Sequence, residues 1–266
     1  MKFSIITPTF NSQSTLEKTL KSLALQSYKN FELLIIDNAS TDKTLEVVKS
    51  FQDQIEIKIF SETDRGIADA FNKGINQAEG EIVAILNSDD FYLSAEVLVN
   101  VAKIFEDRKI DIVHGDMLFQ DEQHGTNVRK PLMCSPRKAF PFNHPAFFVR
   151  KTVYKKFGLF DISYRYAMDF EWICRFFDVK SNWLLNIQYF DQFPLAQMTA
   201  GGASYNHEDK TLKEVIRALK QHQLYNFEAK ISQALRRSRV VLKKYLTCIG
   251  LSSLVKIWRT YKWKSL

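Results

Sequence analysis

The sequence predicts an α/β protein: a mainly parallel sheet flanked by helices, followed by a helical, basic C-terminal tail. Three observations carry that prediction. Strand-length apolar runs alternate with helix-period segments through the first hundred residues, which is the signature of successive β-α-β units. Ile82-Val83-Ala84-Ile85-Leu86 is an unbroken apolar run, as expected for a strand buried on both faces. The charge is segregated. Ala229 to Leu266 holds ten Lys/Arg and no carboxylate, which leaves 27 cations against 30 carboxylates in the rest of the chain. The net charge of +7 therefore belongs to the tail, and a basic nucleic-acid-binding core is not supported.

A chain of 266 residues with 45% hydrophobic and 25% charged residues can bury a full core. The expected division is a domain over 1–208 and a helical extension over 209–266. The 21 Phe residues suggest a broad apolar surface, either a substrate groove or a membrane-facing patch. Cys134, Cys174 and Cys248 have no metal-ligand spacing and point to a reducing compartment. No apolar stretch reaches membrane-span length, and Met1 to Asn11 lacks the form of a signal peptide. A cytoplasmic location is expected.

Phe3 to Thr7 reads as a buried strand stopped by Pro8. Ser14-Thr15-Leu16-Glu17 has the form of a capping box, and Leu16, Leu20 and Leu23 give the next helix its core face. Phe31 to Ile36 is a second strand ending in Asp37. Asn38 to Asp42 is a turn into a helix that runs to about Phe51. Ile55 to Phe60 is a third strand, Ser61 to Gly66 a polar loop, and Ile67 to Gln77 a helix. Gly80 precedes the apolar run at 82.

Strands ending at Thr7, Asp37 and Asp89 would bring polar groups to one sheet edge, where ligands of open α/β sheets gather. Asn87-Ser88-Asp89-Asp90 ends in adjacent carboxylates. A cation would hold both ionised; alternatively they cap the helix that follows. No Gly-x-Gly-x-x-Gly or Walker pattern is present. A phosphate bound here would need another source of neutralisation, and a metal on the aspartates is the simplest.

Further on, a helix is expected over Ser94 to Glu106 and a strand over Ile110 to Gly115. Asp116 to Lys130 suggests a hairpin about Gln123-His124-Gly125. Pro131 to Phe148, with four prolines and no periodicity, reads as a long ordered loop, and Thr152 to Phe157 as a helical turn. In the helix over Met168 to Phe177, Asp169, Trp172, Ile173 and Phe176 share a face. Asp169 is then either a desolvated base or an N-cap. Glu171 and Arg175 read as a surface ion pair. Asn182 to Met198 reads as a strand and a turn, Gly201-Gly202 as a flexible loop at the mouth of the site, and the chain from Lys210 as helices.

This order of motifs, over Phe3 to Ser204, resembles that of inverting family 2 glycosyltransferases of the GT-A fold. Thr7-Pro8-Thr9-Phe10-Asn11 is similar to the family's nucleotide-binding start. Ile35-Ile36-Asp37-Asn38-Ala39-Ser40-Thr41-Asp42 is similar to its second strand and turn, where Asp37 would hold the base or ribose. The family commonly has an acidic residue and Gly at the positions of Asn38 and Ala39. Asp64-Arg65-Gly66 through Asn72-Lys73-Gly74 resembles a segment that closes over the nucleotide. Asn87-Ser88-Asp89-Asp90 resembles the metal motif, with Asp90 on the ion and Asp89 on the ribose or metal shell. His114-Gly115-Asp116 and Asn143-His144-Pro145 resemble acceptor-side elements, as do Trp172, Arg175, Gly201 and Gly202. For His144, a structural role is an equal alternative. Ala167-Met168-Asp169-Phe170-Glu171-Trp172 resembles the stretch bearing the catalytic base, which would be Asp169.

The resemblance implies metal-dependent inverting transfer of a sugar from a nucleoside diphosphate, UDP by family. Mn²⁺ or Mg²⁺ would be the cofactor, and a saccharide or lipid-linked saccharide in cell-surface polysaccharide assembly the acceptor. Apolar residues interleaved with the tail's ten cations suggest peripheral contact with the inner face of the cell membrane. The alternatives are an ordinary packed helix with solvated cations, a sugar nucleotidyltransferase, and a catalytically inactive membrane-peripheral binding subunit. Thr7 to Ser14 lacks the Gly-rich basic loop that the nucleotidyltransferase requires.

Overall fold

The computed structural model describes residues 1–121, 125–178, 182–202 and 207–251. The strands are β1 (Phe3–Thr9), β2 (Phe31–Asp37), β3 (Ile57–Ser61), β4 (Ile82–Ile85), β5 (Phe91–Tyr92), β6 (Ile112–Gly115), β7 (Met117–Asp121), β8 (Gly125–Arg129), β9 (Phe147–Arg150), β10 (Phe177–Asp178), β11 (Asn182–Trp183), β12 (Ile187–Phe190) and β13 (Ala196–Thr199). The helices are α1 (Leu16–Ala24), α2 (Thr44–Lys49), α3 (Ile67–Gln77), α4 (Val97–Phe105), α5 (Lys151–Phe157), α6 (Met168–Arg175), α7 (Glu208–Gln221) and α8 (Phe227–Cys248).

A seven-stranded sheet runs β12-β6-β9-β4-β1-β2-β3. Its pairs are parallel except that β9 is antiparallel to both β4 and β6. A four-stranded sheet, β5-β13-β7-β8, extends from the chain after β4 and β6. Every residue of β4 is buried, and so is all of β2. The reason is that the large sheet has a core on each face. Ile5, Leu33 and Ala84 pack with α1 and α4 side chains such as Leu20 and Leu98, while Ile6, Leu34 and Ile85 pack with Phe71, Trp172 and Leu219 on the other side. Alternate residues of one strand thus serve two cores, which is what a run without polar alternation encodes.

The expected order of elements is present, and α3 has the expected bounds. Several expectations are corrected. The capping box does not form: Thr15 is the N-cap residue of α1 and makes no side-chain cap bond. The segment expected as loop to Phe148 already holds β9, whose antiparallel entry between β4 and β6 gives no periodic signal in four residues. The hairpin forms as β7–β8, with its tip at 122–124 outside the described residues. Asn182 to Met198 forms three strands rather than one.

The helices after residue 208 pack on the sheet domain. Val215, Ala218 and Leu219 of α7, with Leu224 and Ala229, are buried in the same core as Trp172, Ile173 and Phe176. α7 therefore completes the second core rather than extending from it.

Candidate functional site

At the carboxyl edge of the sheet, the turns after β1 and β2 are laced together around one carboxylate. Asp37 is fully buried. Its Oδ1 accepts from the hydroxyls of Thr9 and Ser40, and its Oδ2 from the Ser40 N–H and the Ser61 hydroxyl. Burial opposes the charge, but these donors prevail and hold the carboxyl below its ordinary range. These bonds fix the turn that follows β2 at the edge where the nucleotide is expected. Ser40 Oγ also receives the Asn11 N–H at 2.9 Å, and Asn11 Oδ1 accepts the Thr41 N–H at 2.9 Å. Asn11 and Ala39 both have φ near +50° (48° and 49°). Asn tolerates that region; Ala39 occupies it against its Cβ, where glycine would be unstrained.

The loop after β3 is tied to the same turn. Asn38 Oδ1 accepts the Asp64 N–H, and Asp64 Oδ1 accepts the N–H of Gly66, whose φ of 118° starts α3. Burial raises the Asp64 pKa. Lys73 donates to the Thr63 carbonyl and pairs with Glu62, bracing the loop rather than facing the edge. Asn72 faces the segment after α5. Both ends of its amide bind the Phe160 main chain, at 2.8 and 2.9 Å, locking α3 to the segment after α5. Thr7 is buried and Pro8 half-buried. Phe10, just past β1, is 60% exposed.

After β4, the Leu86 N–H binds the Ile6 carbonyl and the chain turns through Asn87–Asp90. Ser88 Oγ lies 3.0 Å from Ser12 Oγ, and Thr19 Oγ1 donates to the Asp90 carbonyl. Neither aspartate caps the next helix, whose N-cap is Glu96. Asp90 is 1% exposed; Asn87 Nδ2 donates to its Oδ2, while its Oδ1 is buried without a hydrogen-bond partner. Burial, then the adjacent Asp89, raises the Asp90 pKa well above the carboxylate range, and burial raises that of half-buried Asp89. Two neighbouring carboxyls, both resisting ionisation, with one orphaned oxygen, fit a divalent cation as counter-charge. Asp89 is the more accessible member of the pair, and Asp90 stands behind it.

Asp169 lies in the first turn of α6. Its Oδ1 accepts the Phe170 N–H at 2.7 Å, and its Oδ2 is 3.9 Å from Nδ1 of His144. It does not cap the helix; the N-cap is Ala167. Together with His144 it opens onto an aromatic pocket formed by Phe140, Phe142, Phe147, Tyr154, Phe160 and Trp172, with Ile85, the last residue of β4, in the wall. The pocket thus adjoins the strand that leads into Asn87–Asp90. Burial raises the Asp169 pKa and lowers that of His144, which stacks on Phe71 with ring centroids 5.5 Å apart.

The other acceptor-side candidates lie in varied surroundings. His114 is fully buried among Phe142 and Tyr189, and burial pushes its pKa down to about 4. Asp116 is buried and accepts from the Tyr189 hydroxyl. Trp172 is 1% exposed with Nε1 donating to the Gly158 carbonyl, so only its ring reaches the pocket. Arg175 binds the Phe157 and Leu159 carbonyls and both oxygens of Glu171. The Glu171 side chain is fully buried, so this is no surface pair. Gly201 (φ 126°) and Gly202 lie in a turn with open space around them; 203–206 lie outside the described residues.

The family model for glycosyl transferase family 2 matches residues 4–176. The chain belongs to that family. It is a glycosyltransferase, and its fold is of the GT-A type. The PGL/p-HBAD biosynthesis glycosyltransferase of Mycobacterium tuberculosis is 33% identical over 214 residues, covering 78% of this chain and 81% of that relative. Staphylococcus aureus TarS, a poly(ribitol-phosphate) β-N-acetylglucosaminyltransferase, is 36% identical over 117 residues, covering 42% of this chain and 20% of TarS. Among solved structures, TarS 1–349 with UDP-GlcNAc superposes with a TM-score of 0.69 at 22% identity, covering 85% of this chain and 68% of that one. The alignment with ligand-free TarS 1–349 covers 65% of that chain. A Pyrobaculum calidifontis mannosyltransferase with GDP-Man and Mn²⁺ has a TM-score of 0.63 at 18% identity, covering 97% of this chain and 82% of that one.

Proposed function

We propose that this glycosyltransferase moves a sugar from a UDP-sugar, with inversion, to a hydroxyl of a saccharide or lipid-linked saccharide in cell-surface polysaccharide assembly. One observation carries the reading. A desolvated carboxylate, Asp169, opens onto a pocket walled by Ile85, beside the turn that holds Asp89 and Asp90. The UDP and UDP-GlcNAc bound by TarS, and the Mn²⁺ and GDP-Man bound by the archaeal mannosyltransferase, support the donor class and a divalent cation.

Phe10 offers an exposed ring for the nucleobase, since aromatic stacking is worth about 1–3 kcal/mol per base. The polar turn at Asn11, Asn38 and Ser40 offers ribose contacts from a scaffold fixed by Asp37. Asp89, backed by Asp90, would hold a divalent ion, which when bound offsets the charge that develops on the leaving diphosphate. Asp169 Oδ2 takes the proton from the acceptor hydroxyl as that oxygen attacks the anomeric carbon. One displacement assisted by one base inverts the configuration. The aromatic wall raises the basicity of Asp169 by excluding water.

Asp169→Asn is expected to keep UDP binding, measured by calorimetry, while UDP release from UDP-GlcNAc with acceptor falls by about 10²–10⁴-fold, the range of a lost general base. Asp89→Asn is expected to remove the Mn²⁺ dependence of UDP binding. Loss of UDP binding in Asp169→Asn would make Asp169 a structural residue and sink the proposal.

A membrane-borne acceptor has its own support. Phe227, Ile231, Leu235 and Leu242 recur at steps of four and seven along α8 and are all exposed, in a helix that holds six cations and, beyond Glu228, no carboxylate. Among the described residues no helix is long and apolar enough to cross a membrane. An apolar stripe bordered by cations suits the surface of an anionic bilayer.

A further inference from the structure

α7 lies beyond the residues that match the family model, yet it grips the segment leading into α6 at several points. The residue at the N-cap of α6 is Ala167, which has no side chain to cap with. The missing acceptor comes from another helix. The Arg165 N–H binds Glu214 Oε1 at 3.0 Å, and the Tyr166 and Ala167 N–H groups bind Glu214 Oε2 at 2.8 and 2.9 Å. Three converging N–H groups at a helix start favour an anion.

Around this clamp, the Tyr164 hydroxyl donates to Gln221 Oε1 at 2.9 Å, and the Arg217 guanidinium lies 3.5 Å from the centre of the Tyr164 ring while binding Ser163. His222, just past α7, meets Glu171 Oε1 at 2.8 Å. Asp169 stands two residues after the last clamped N–H, and its own Oδ1 is fixed to the Phe170 N–H. Wherever the first turn of α6 goes, Asp169 follows.

We propose that Glu214 is a positioning residue for Asp169, and that α7 thereby forms part of the catalytic apparatus. The inference rests on Asp169 being the base. Glu214 touches no reacting atom; it sets the origin of the helix on which the base rides. Sub-ångström placement matters here, because a shift of about 1 Å at a reacting group can cost about 100-fold in rate.

The test uses the full chain with Glu214→Gln, which keeps shape and one acceptor but loses the charge, and Glu214→Asp, which keeps the charge on a shorter stem. In Glu214→Gln, amide exchange over 163–171 should quicken by about tenfold or more while β1–β4 exchange is unchanged. Turnover of UDP-GlcNAc should fall about 10- to 100-fold with its KM and the affinity for UDP unmoved, and Glu214→Asp should recover part of the loss. Unchanged exchange over 163–171, exchange quickened across the whole chain, or a change in KM alone would overturn the proposal. Adding Glu214→Gln to Asp169→Asn should cost nothing further. A full additional loss in that background would mean that Glu214 acts elsewhere, with the base assignment intact. Undiminished turnover in Asp169→Asn alone would remove the base assignment, and this inference with it.

Discussion

Glu32 and Asp37 are fully buried carboxylates near opposite ends of β2, and their partners give them different jobs. Asp37 is held by three hydroxyls and an N–H. Glu32 is held by Lys58 Nζ at 2.7 Å and the Ser4 hydroxyl at 2.6 Å, with Lys2 Nζ at 3.6 Å. Burial works against its charge, but the Lys58 and Ser4 contacts win and lower its pKa to about 2 from 4.5. A folded-state value below the unfolded one means stability that is present above pH 4.5 and lost as pH falls toward 2. At about 1.4 kcal/mol per unit, the loss is about 3 kcal/mol. Urea unfolding between pH 6 and 2.5 should therefore show a steep acid limb, and Glu32→Gln should flatten it by most of that amount. An unchanged limb would remove Glu32 from the account. Sequence exposes the limits of single-residue reading here. Asp37 ends a strand at the ligand edge, and nothing in its neighbours along the chain tells that Thr9, Ser40 and Ser61 converge on it. The positions of Asp89 after β4 and Asp169 in α6 follow from strand run and helix period without help from distant residues.

α6 is fixed at its start by Glu214, remote in sequence, and at its finish by its own last residue, Arg175. Arg175 bonds two carbonyls of the segment after α5 and both oxygens of a fully buried carboxylate. A planar fork can make that set; a lysine ammonium cannot. Arg175→Lys should keep the charge beside Glu171 but leave the Phe157 and Leu159 carbonyls underpaired, costing about 1–3 kcal/mol, the range for an unsatisfied buried polar group. Chemical denaturation of the two proteins measures it, and a cost below about 1 kcal/mol, typical of an exposed pair, would overturn the assignment. The i,i+4 spacing identified the partners correctly. It could not tell burial from exposure, because the layer that covers Glu171 is α7, some forty residues later. The same reason hid β9: an antiparallel strand of four residues after a proline-rich loop is defined by the neighbours it slips between, β4 and β6.

At the scale of the whole molecule, α7 and α8 divide what the sequence joined in one tail. α7 is covered on the face toward Trp172 and Ile173, whereas α8 presents Leu235, Val241, Leu242 and Tyr245 to solvent at 52–61% exposure. Charge segregation made the basic segment visible in sequence, but helical period alone assigns no partner to an apolar face. If the α8 stripe meets an anionic bilayer, each nearby cation contributes about 1 kcal/mol, an attraction that salt should weaken. The full chain should co-sediment with phosphatidylglycerol vesicles at low salt, bind phosphatidylcholine vesicles weakly, and leave the pellet as salt rises. Leu235→Glu with Leu242→Glu alters only exposed positions, so its melting temperature should stay close to the parent's while vesicle binding is lost. Equal pelleting of the parent and the double variant would show that the stripe faces something other than lipid.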